Sequence, residues 1–382
     1  MHILSESFEN VKNWLLNSNL AIHDENDENC GGVFSFFDEK ANEFSFLYPE
    51  ITGYFVSTLK FLNYVEADEK YSQYAKYSCD WLIQIYEKYG SIIQGIKSNK
   101  PTSDLSYSFD SAICAKGLLD YYEISKDKHY LNYATKILSE LRDEAIQEDG
   151  SVIPFKNITT HELQASTEVW YKQKGCLHIK MAIPFFQINQ YLDDDSFLTI
   201  GNNMCNSLSN FQNPDGSIRL HSDSPTINLH TMCYALEGLV YGYAITKNDE
   251  YLKNLESAVD WCLKQISKDN SIPLLYNSKY KSKASYAIAQ LIILLVLIDK
   301  INGDSKYRYD TERLFNFLMT FQASGASPHI NGGFYEEIYK SIFGWKKRLR
   351  INSWASMFAL EAIYWYQNYN VIDFEEQVRF LY

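Results

Sequence analysis

The sequence contains no long apolar run. The longest stretch, Leu291 to Ile298, is too short to span a bilayer, so no membrane span is expected. It also lacks any basic excess: 35 Lys and Arg stand against 48 Asp and Glu, a net charge of −13. Binding a phosphate backbone needs a broad basic face, so nucleic acid is excluded as a partner. Proline, glycine and serine nowhere concentrate into a linker, and a single domain over residues 1–382 is expected. Cys30, Cys79, Cys114, Cys176, Cys205, Cys233 and Cys262 are odd in number, scattered, and mostly set in apolar helical patterns. That usage reads as free buried thiols in a reducing compartment. The N-terminal MHILSESFENVKNWLL has neither a basic n-region nor a long apolar core, and a cytoplasmic protein is expected.

Several chemistries have no motif here. There is no GxxxxGK[ST] phosphate loop, and no GxGxxG, HExxH, CxxC or GxSxG, so no cofactor is expected. An aspartate-rich cyclase motif is missing too, because Asp193, Asp194 and Asp195 fall in a short return loop. His230 and Cys233 have the i, i+3 spacing of metal ligands, but no third ligand accompanies them, so a satisfied buried histidine is the better reading and no metal is expected.

What is abundant is apolar and aromatic side chain, 46% and 15% of the chain, with 30 Tyr. Tyrosine has apolar faces and a polar tip, so it serves both helix packing and the lining of wet pockets. These residues fall into a repeat of roughly 55–70 residues with two helical stretches per unit. One set is amphipathic: residues 9–22, 71–86, 130–145, 197–211, 251–266 and 311–321. The other is apolar almost all round: residues 51–65, 109–124, 175–192, 229–245, 284–301 and 352–369. A helix that is hydrophobic on every side is buried on both flanks. The expected fold is therefore all-α, an (α/α)₆ toroid: six helical hairpins with the apolar helices as an inner ring and the amphipathic helices as an outer one. Turn signals follow the outer helices at CGGVF (30–34), EDGSVIPF (148–155), NPDGSI (213–218), DNSIP (269–273) and NGGF (331–334). The outer-to-inner loops are long and the return loops short, and function collects on long loops.

If every inner helix follows the same crossover, all six start on one rim. The chemistry there is rich in polar groups: the carboxylates of Glu50 and Asp110, the imidazoles of His178 and His230, Lys180, and the aromatic Tyr54, Tyr234 and Trp354. Glu336 and Glu337 arrive on the last long loop, and Arg350 ends the run Lys346-Lys347-Arg348-Leu349-Arg350. Helix N-termini present free N–H groups and positive dipole ends, which suit anionic or hydroxyl-rich ligands. Paired acids suit glycosidic cleavage, whereas Tyr or His with a cation suits proton abstraction beside a uronate carboxylate. Each residue has a plainer explanation. An acid at a helix start serves as a cap or dipole partner. Two residues apart, His178 and Lys180 do not share a helix face. A basic run is most often a solvated face, although here it stands beside the rim as a clamp for an anionic polymer or a lipid diphosphate.

The stretches PEITGYFVSTLKFL, SFDSAICAKGLL, LHTMCYALEGL and NSWASMFALEAI, with Gln290 inside an inner helix, resemble in that order a group of (α/α)₆ proteins. These are encoded in bacterial capsule, exopolysaccharide and O-antigen gene clusters. The resemblance runs from about residue 30 to residue 370. More distantly the chain is similar to six-hairpin glycosidases, toroid polysaccharide lyases and glucuronyl C5-epimerases. It implies polysaccharide processing or biosynthesis, and a carbohydrate partner that is oligomeric or polymeric, anionic, or linked to a nucleotide or lipid. Glu50, Asp110, His230 and Trp354 carry over as motif positions with no role attached. The family's NWA-x-KFF pattern reads Asn352-Ser353-Trp354-Ala355-Ser356-Met357-Phe358 here, without the Lys.

The first expectation is an enzyme of bacterial surface glycans that cleaves a glycosidic bond, as hydrolase or lyase. Glu50 and Asp110 are its acid and base, His230 and Tyr234 assist proton transfer, and Trp354 is the sugar platform. Tyr54, His178, Lys180, Glu336, Glu337 and Arg350 are candidate substrate contacts. The alternatives are a sugar or uronosyl epimerase, and a non-catalytic glycan-binding subunit of a biosynthetic complex. Glu50, Asp110, His230 and Trp354 are expected to line one cavity.

Overall fold

The computed structural model describes residues 3–166 and 168–382. Thirteen α-helices occur among them: α1 Glu6–Asn17, α2 Pro49–Glu66, α3 Glu69–Tyr89, α4 Ser108–Ser125, α5 Lys128–Glu140, α6 Ala182–Ile188, α7 Asp195–Asn206, α8 Leu229–Thr246, α9 Asp249–Leu263, α10 Ser285–Asn302, α11 Arg308–Leu318, α12 Ser353–Gln367 and α13 Phe374–Gln377. Up to α12 they alternate as expected. The odd-numbered helices bury one stripe, as α9 does with Tyr251, Leu255, Ala258, Val259 and Cys262. The even-numbered ones are buried on nearly every side, as α4 is from Ser108 to Tyr121.

The return turns show why the helices stop and restart where they do. Three of them are two residues long. Ala67, Lys126 and Lys247 take the left-handed conformation and end α2, α4 and α8. The next residue, Asp68, Asp127 or Asn248, then caps the following helix by accepting a backbone N–H with its side chain. Asp194 does the same for α7, which accounts for the aspartate triplet. One helix begins later than its apolar pattern suggests. Residues 176–181 form a 3₁₀ helix and α6 starts only at Ala182. Pro184 has no N–H to give to a preceding carbonyl, so an α-helix can hold it only in its first turn.

The chain divides into two compact units. One comprises Ala21–Ser35, Ser45–Leu208 and Tyr382 and holds α2 to α7. Its tightest packing is α2 against α4, where a Cβ on Gly117 would lie 2.9 Å from the carbonyl oxygen of Gly53, and one on Gly53 2.7 Å from that of Ile113. Glycine at both positions lets the two backbones approach, and this sets the first turns of the two helices side by side. Farther along, Asp120 accepts bonds from Lys60 (2.8 Å), Lys116 (2.6 Å), Ser57 (2.6 Å) and Gln187 (3.0 Å). Burial alone would raise its pKa, but the two ammonium groups hold it at about 2.

The other unit comprises Met1–Leu20, Phe36–Phe44 and Ser209–Leu381 and holds α1 and α8 to α13. Helix α10 packs against α8, α11 and α12. By length and composition it could cross a membrane, but 78% of it is buried in protein. Each fully buried Leu or Ile in it contributes about 1.5–3 kcal/mol. A four-stranded sheet joins Phe36–Asp38, Glu43–Phe44, Phe334–Tyr335 and Arg350–Asn352, and a three-stranded sheet joins Ser282–Ala284, Glu337–Ser341 and Gly344–Lys347.

Candidate active site

Glu50, Tyr54, Asp110, His178 and Lys180 fall in the α2–α7 unit; His230, Tyr234, Glu336, Glu337, Arg350 and Trp354 fall in the other. Each unit carries its own cluster.

In the first cluster, neither acid is an N-cap. Tyr48 and Tyr107 occupy the cap positions of α2 and α4, and neither caps with its side chain. Glu50 and Asp110 follow in the first turns, both buried. The phenol of Tyr48 lies close to both carboxyl groups; burial, and after it their charges, hold the phenol proton in place. Burial raises both groups, the charge of Glu50 raises Asp110 further, and the Tyr48 phenol only partly offsets this. The Lys180 ammonium favours ionised Glu50. Asp110 thus holds its proton more strongly, and Glu50, beside Lys180, is the first of the two to ionise. Asp110 Oδ2 is buried with no hydrogen-bond partner.

Lys180 is fully buried, its ammonium 5.1 Å from the ring centre of Tyr54 and 5.9 Å from that of Tyr382. His178 Nδ1 lies 3.1 Å from the Gly175 carbonyl, so Nδ1 carries the proton and Nε2 the lone pair. Nε2 is buried without a partner, and burial lowers the imidazole pKa to about 4. His178 and Lys180 are both buried because the 3₁₀ segment Cys176–Met181 is buried on every side.

In the second cluster, Asn228 caps α8 and places His230 in its first turn. His230 Nδ1 is 2.6 Å from Gln290 Oε1, and Gln290 Nε2 donates to Glu237 Oε1 at 2.9 Å. The carboxylate thus orients the amide, and the amide fixes the proton on Nδ1. The imidazole ring lies 4.1 Å from Tyr234 and 4.5 Å from Tyr286, whose ring is 6.0 Å from Trp354. Glu337 is buried in a strand, bonded to Arg348 at 2.6 Å and to the Tyr280 hydroxyl at 2.7 Å. Glu336 lies 3.9 Å from both Arg348 and Arg350, and burial raises its pKa. Both glutamates act electrostatically on Tyr286.

Tyr48, Tyr286, Arg348 and Tyr382 were not singled out from the sequence. Tyr48 sits one residue before the flagged α2 start, and Arg348 lies within the flagged basic run. Tyr286 and Tyr382 gave no local signal.

No family model and no curated protein sequence matches the chain. Solved structures do match over nearly its whole length. The cellobiose 2-epimerase of Bacillus thermoamylovorans B4167 is 16% identical, covers 94% of this chain and 95% of its own, and superposes with a TM-score of 0.73. An unsaturated glucuronyl hydrolase specific for heparin is 12% identical over 97% and 98%, with a TM-score of 0.71. A D-mannose isomerase is 12% identical over 96% and 97%, with a TM-score of 0.77. At these identities the likeness shows the fold, and this chain has the (α/α)₆ toroid fold that such sugar-processing enzymes share.

Proposed function

We propose that the protein is a carbohydrate-active enzyme that cleaves a glycosidic bond by acid–base catalysis, acting on a surface polysaccharide or its precursor. The observation that carries this reading is the Glu50–Asp110 pair: two buried carboxyl groups in the first turns of α2 and α4, both close to the Tyr48 phenol and unequal in their hold on a proton. Glycoside cleavage needs one carboxylic acid to protonate the leaving oxygen and one carboxylate to act as base or nucleophile. Environments that push two carboxyl pKa values apart assign those roles. Asp110 is the acid, and Glu50, on the Lys180 side, is the carboxylate. The fold is one that hydrolyses unsaturated glucuronyl substrates in a structural neighbour.

A second reading, epimerisation of a sugar, rests on a different observation. The Glu237–Gln290–His230 chain puts a proton on Nδ1, so in the neutral imidazole Nε2 is the basic nitrogen, the chemistry needed to move a proton on and off carbon. The neighbours that epimerise or isomerise sugars support it.

Isotope labelling separates the readings. Oligosaccharides, uronate-containing ones included, are incubated with the protein in heavy-oxygen water and separately in deuterium oxide, and the products are weighed. Hydrolysis adds one labelled water at the new reducing end. Epimerisation by proton transfer puts deuterium on carbon and adds no water. In the hydrolase reading, Asp110→Asn preserves the fold and lowers turnover about a hundredfold or more. Binding with no incorporation of either isotope overturns both readings and leaves a glycan-binding subunit.

A further inference from the structure

The basic run that the candidate site only partly uses forms the end of a β-hairpin. Strands Glu337–Ser341 and Gly344–Lys347 pair antiparallel, with Ser341 opposite Gly344 and Lys340 opposite Trp345. The connecting loop is Ile342–Phe343. These two side chains are 93% and 82% exposed, more than any other large apolar residue described. Exposing an adjacent Ile and Phe at a hairpin tip forfeits the burial such residues normally find.

The surroundings of the tip are basic although the chain is acidic overall. Residues 338–350, IYKSIFGWKKRLR, contain five Lys or Arg and no acid, in a protein of net charge −13. Arg348 and Arg350 are engaged with glutamates. Lys340 and Lys346 stand on the exposed strands, with Lys346 5.2 Å from the Phe343 ring. Beside the hairpin is an open cavity of about 540 Å³ lined by Lys268, Lys281, Lys283, Lys340 and Trp345, with Asp269 as its one acid. Lys283 and Lys340 lie 4.7 and 5.6 Å from the Trp345 ring. An apolar wedge, an amphipathic tryptophan beside it and a collar of lysines match the layers of an anionic bilayer surface: acyl chain, interface and phosphate headgroup.

We propose that this hairpin is a membrane-surface anchor. Ile342 and Phe343 insert between lipids, Trp345 sits at headgroup level, and the lysine-lined cavity takes a phosphate headgroup. The attachment is peripheral, combining one small apolar wedge with electrostatic attraction, so it is reversible and sensitive to salt.

The test is co-sedimentation of the full chain with vesicles of phosphatidylcholine alone, or of phosphatidylcholine with a third phosphatidylglycerol. The expected result is binding to the anionic vesicles only, reversed by high salt. Binding should fall by about tenfold or more in Ile342→Ser/Phe343→Ser and to a similar degree in Lys281→Glu/Lys340→Glu. Inorganic pyrophosphate should weaken binding no more than sodium chloride of equal ionic strength does, and full displacement by pyrophosphate where the chloride leaves binding intact overturns the proposal, because the cavity then takes a free phosphate and not a lipid. Absent or equal binding to both vesicle types overturns the proposal. So does a concentration-dependent dimer in the wild type that the tip variant loses, because the tip then covers a second copy. The substituted side chains are surface-exposed or line the open cavity, and an unchanged melting temperature shows that the fold is kept.

Discussion

Replacing Glu50 with Gln tests the site's electrostatics without knowledge of the substrate. Burial holds the Glu50 carboxyl proton to about 7, against an ordinary 4.5. Between those two values the folded chain keeps a proton that the unfolded chain has released. The native state therefore binds more protons, and stability falls as pH rises through that window. The pKa difference corresponds to about 3 kcal/mol lost by the wild type across it. Glutamine cannot ionise and escapes this loss. The attraction to Lys180 acts only on ionised Glu50 and is already contained in that pKa, so its loss adds no separate term. Glu50→Gln should thus gain stability relative to the wild type by up to about 3 kcal/mol between about pH 4 and about pH 8. Urea denaturation of both proteins across that range measures it. A constant gap, or a variant that loses ground as pH rises, refutes the reasoning.

Two further outcomes follow from packing. Gly117→Ala places a Cβ 2.9 Å from the Gly53 carbonyl oxygen, backbone that cannot swing away; it should cost about 1–3 kcal/mol, read as a lower melting temperature. Asp120→Asn leaves the buried ammonium of Lys116 without its carboxylate; a loss of about 3–5 kcal/mol is expected in the same assay.

The alternation of helices was legible because burial writes itself into composition. SYAIAQLIILLVLI can be apolar on all sides only if protein covers all sides. The shortness of the return turns was legible, whereas the left-handed residue and the Asp or Asn cap that build them emerge from the structure. Pro184 marks the late start of α6, inside an apolar pattern that by itself predicts a helix from residue 175. The hairpin around Ile342–Phe343 was hidden because five basic residues dominate its composition and its alternation is weak. At the site, Glu50 and Asp110 were found from their place at helix starts. Their closeness to one phenol, Tyr48, was not, because it depends on how closely α2 approaches α4, and that rests on Gly53 and Gly117, sixty-four residues apart. His230 was flagged as a motif position, whereas the chain through Gln290 to Glu237 is tertiary and has no local signature.

The central claim is that Glu50 and Asp110 hold one proton between them near neutral pH. Carbon-13 NMR of protein labelled at Asp and Glu carboxyl carbons, with the two signals assigned from Glu50→Gln and Asp110→Asn, follows their titration directly. The account predicts that Asp110 stays protonated into the neutral range and that its signal moves when Glu50 titrates. Two carboxyl groups that ionise independently at about pH 4 would contradict it.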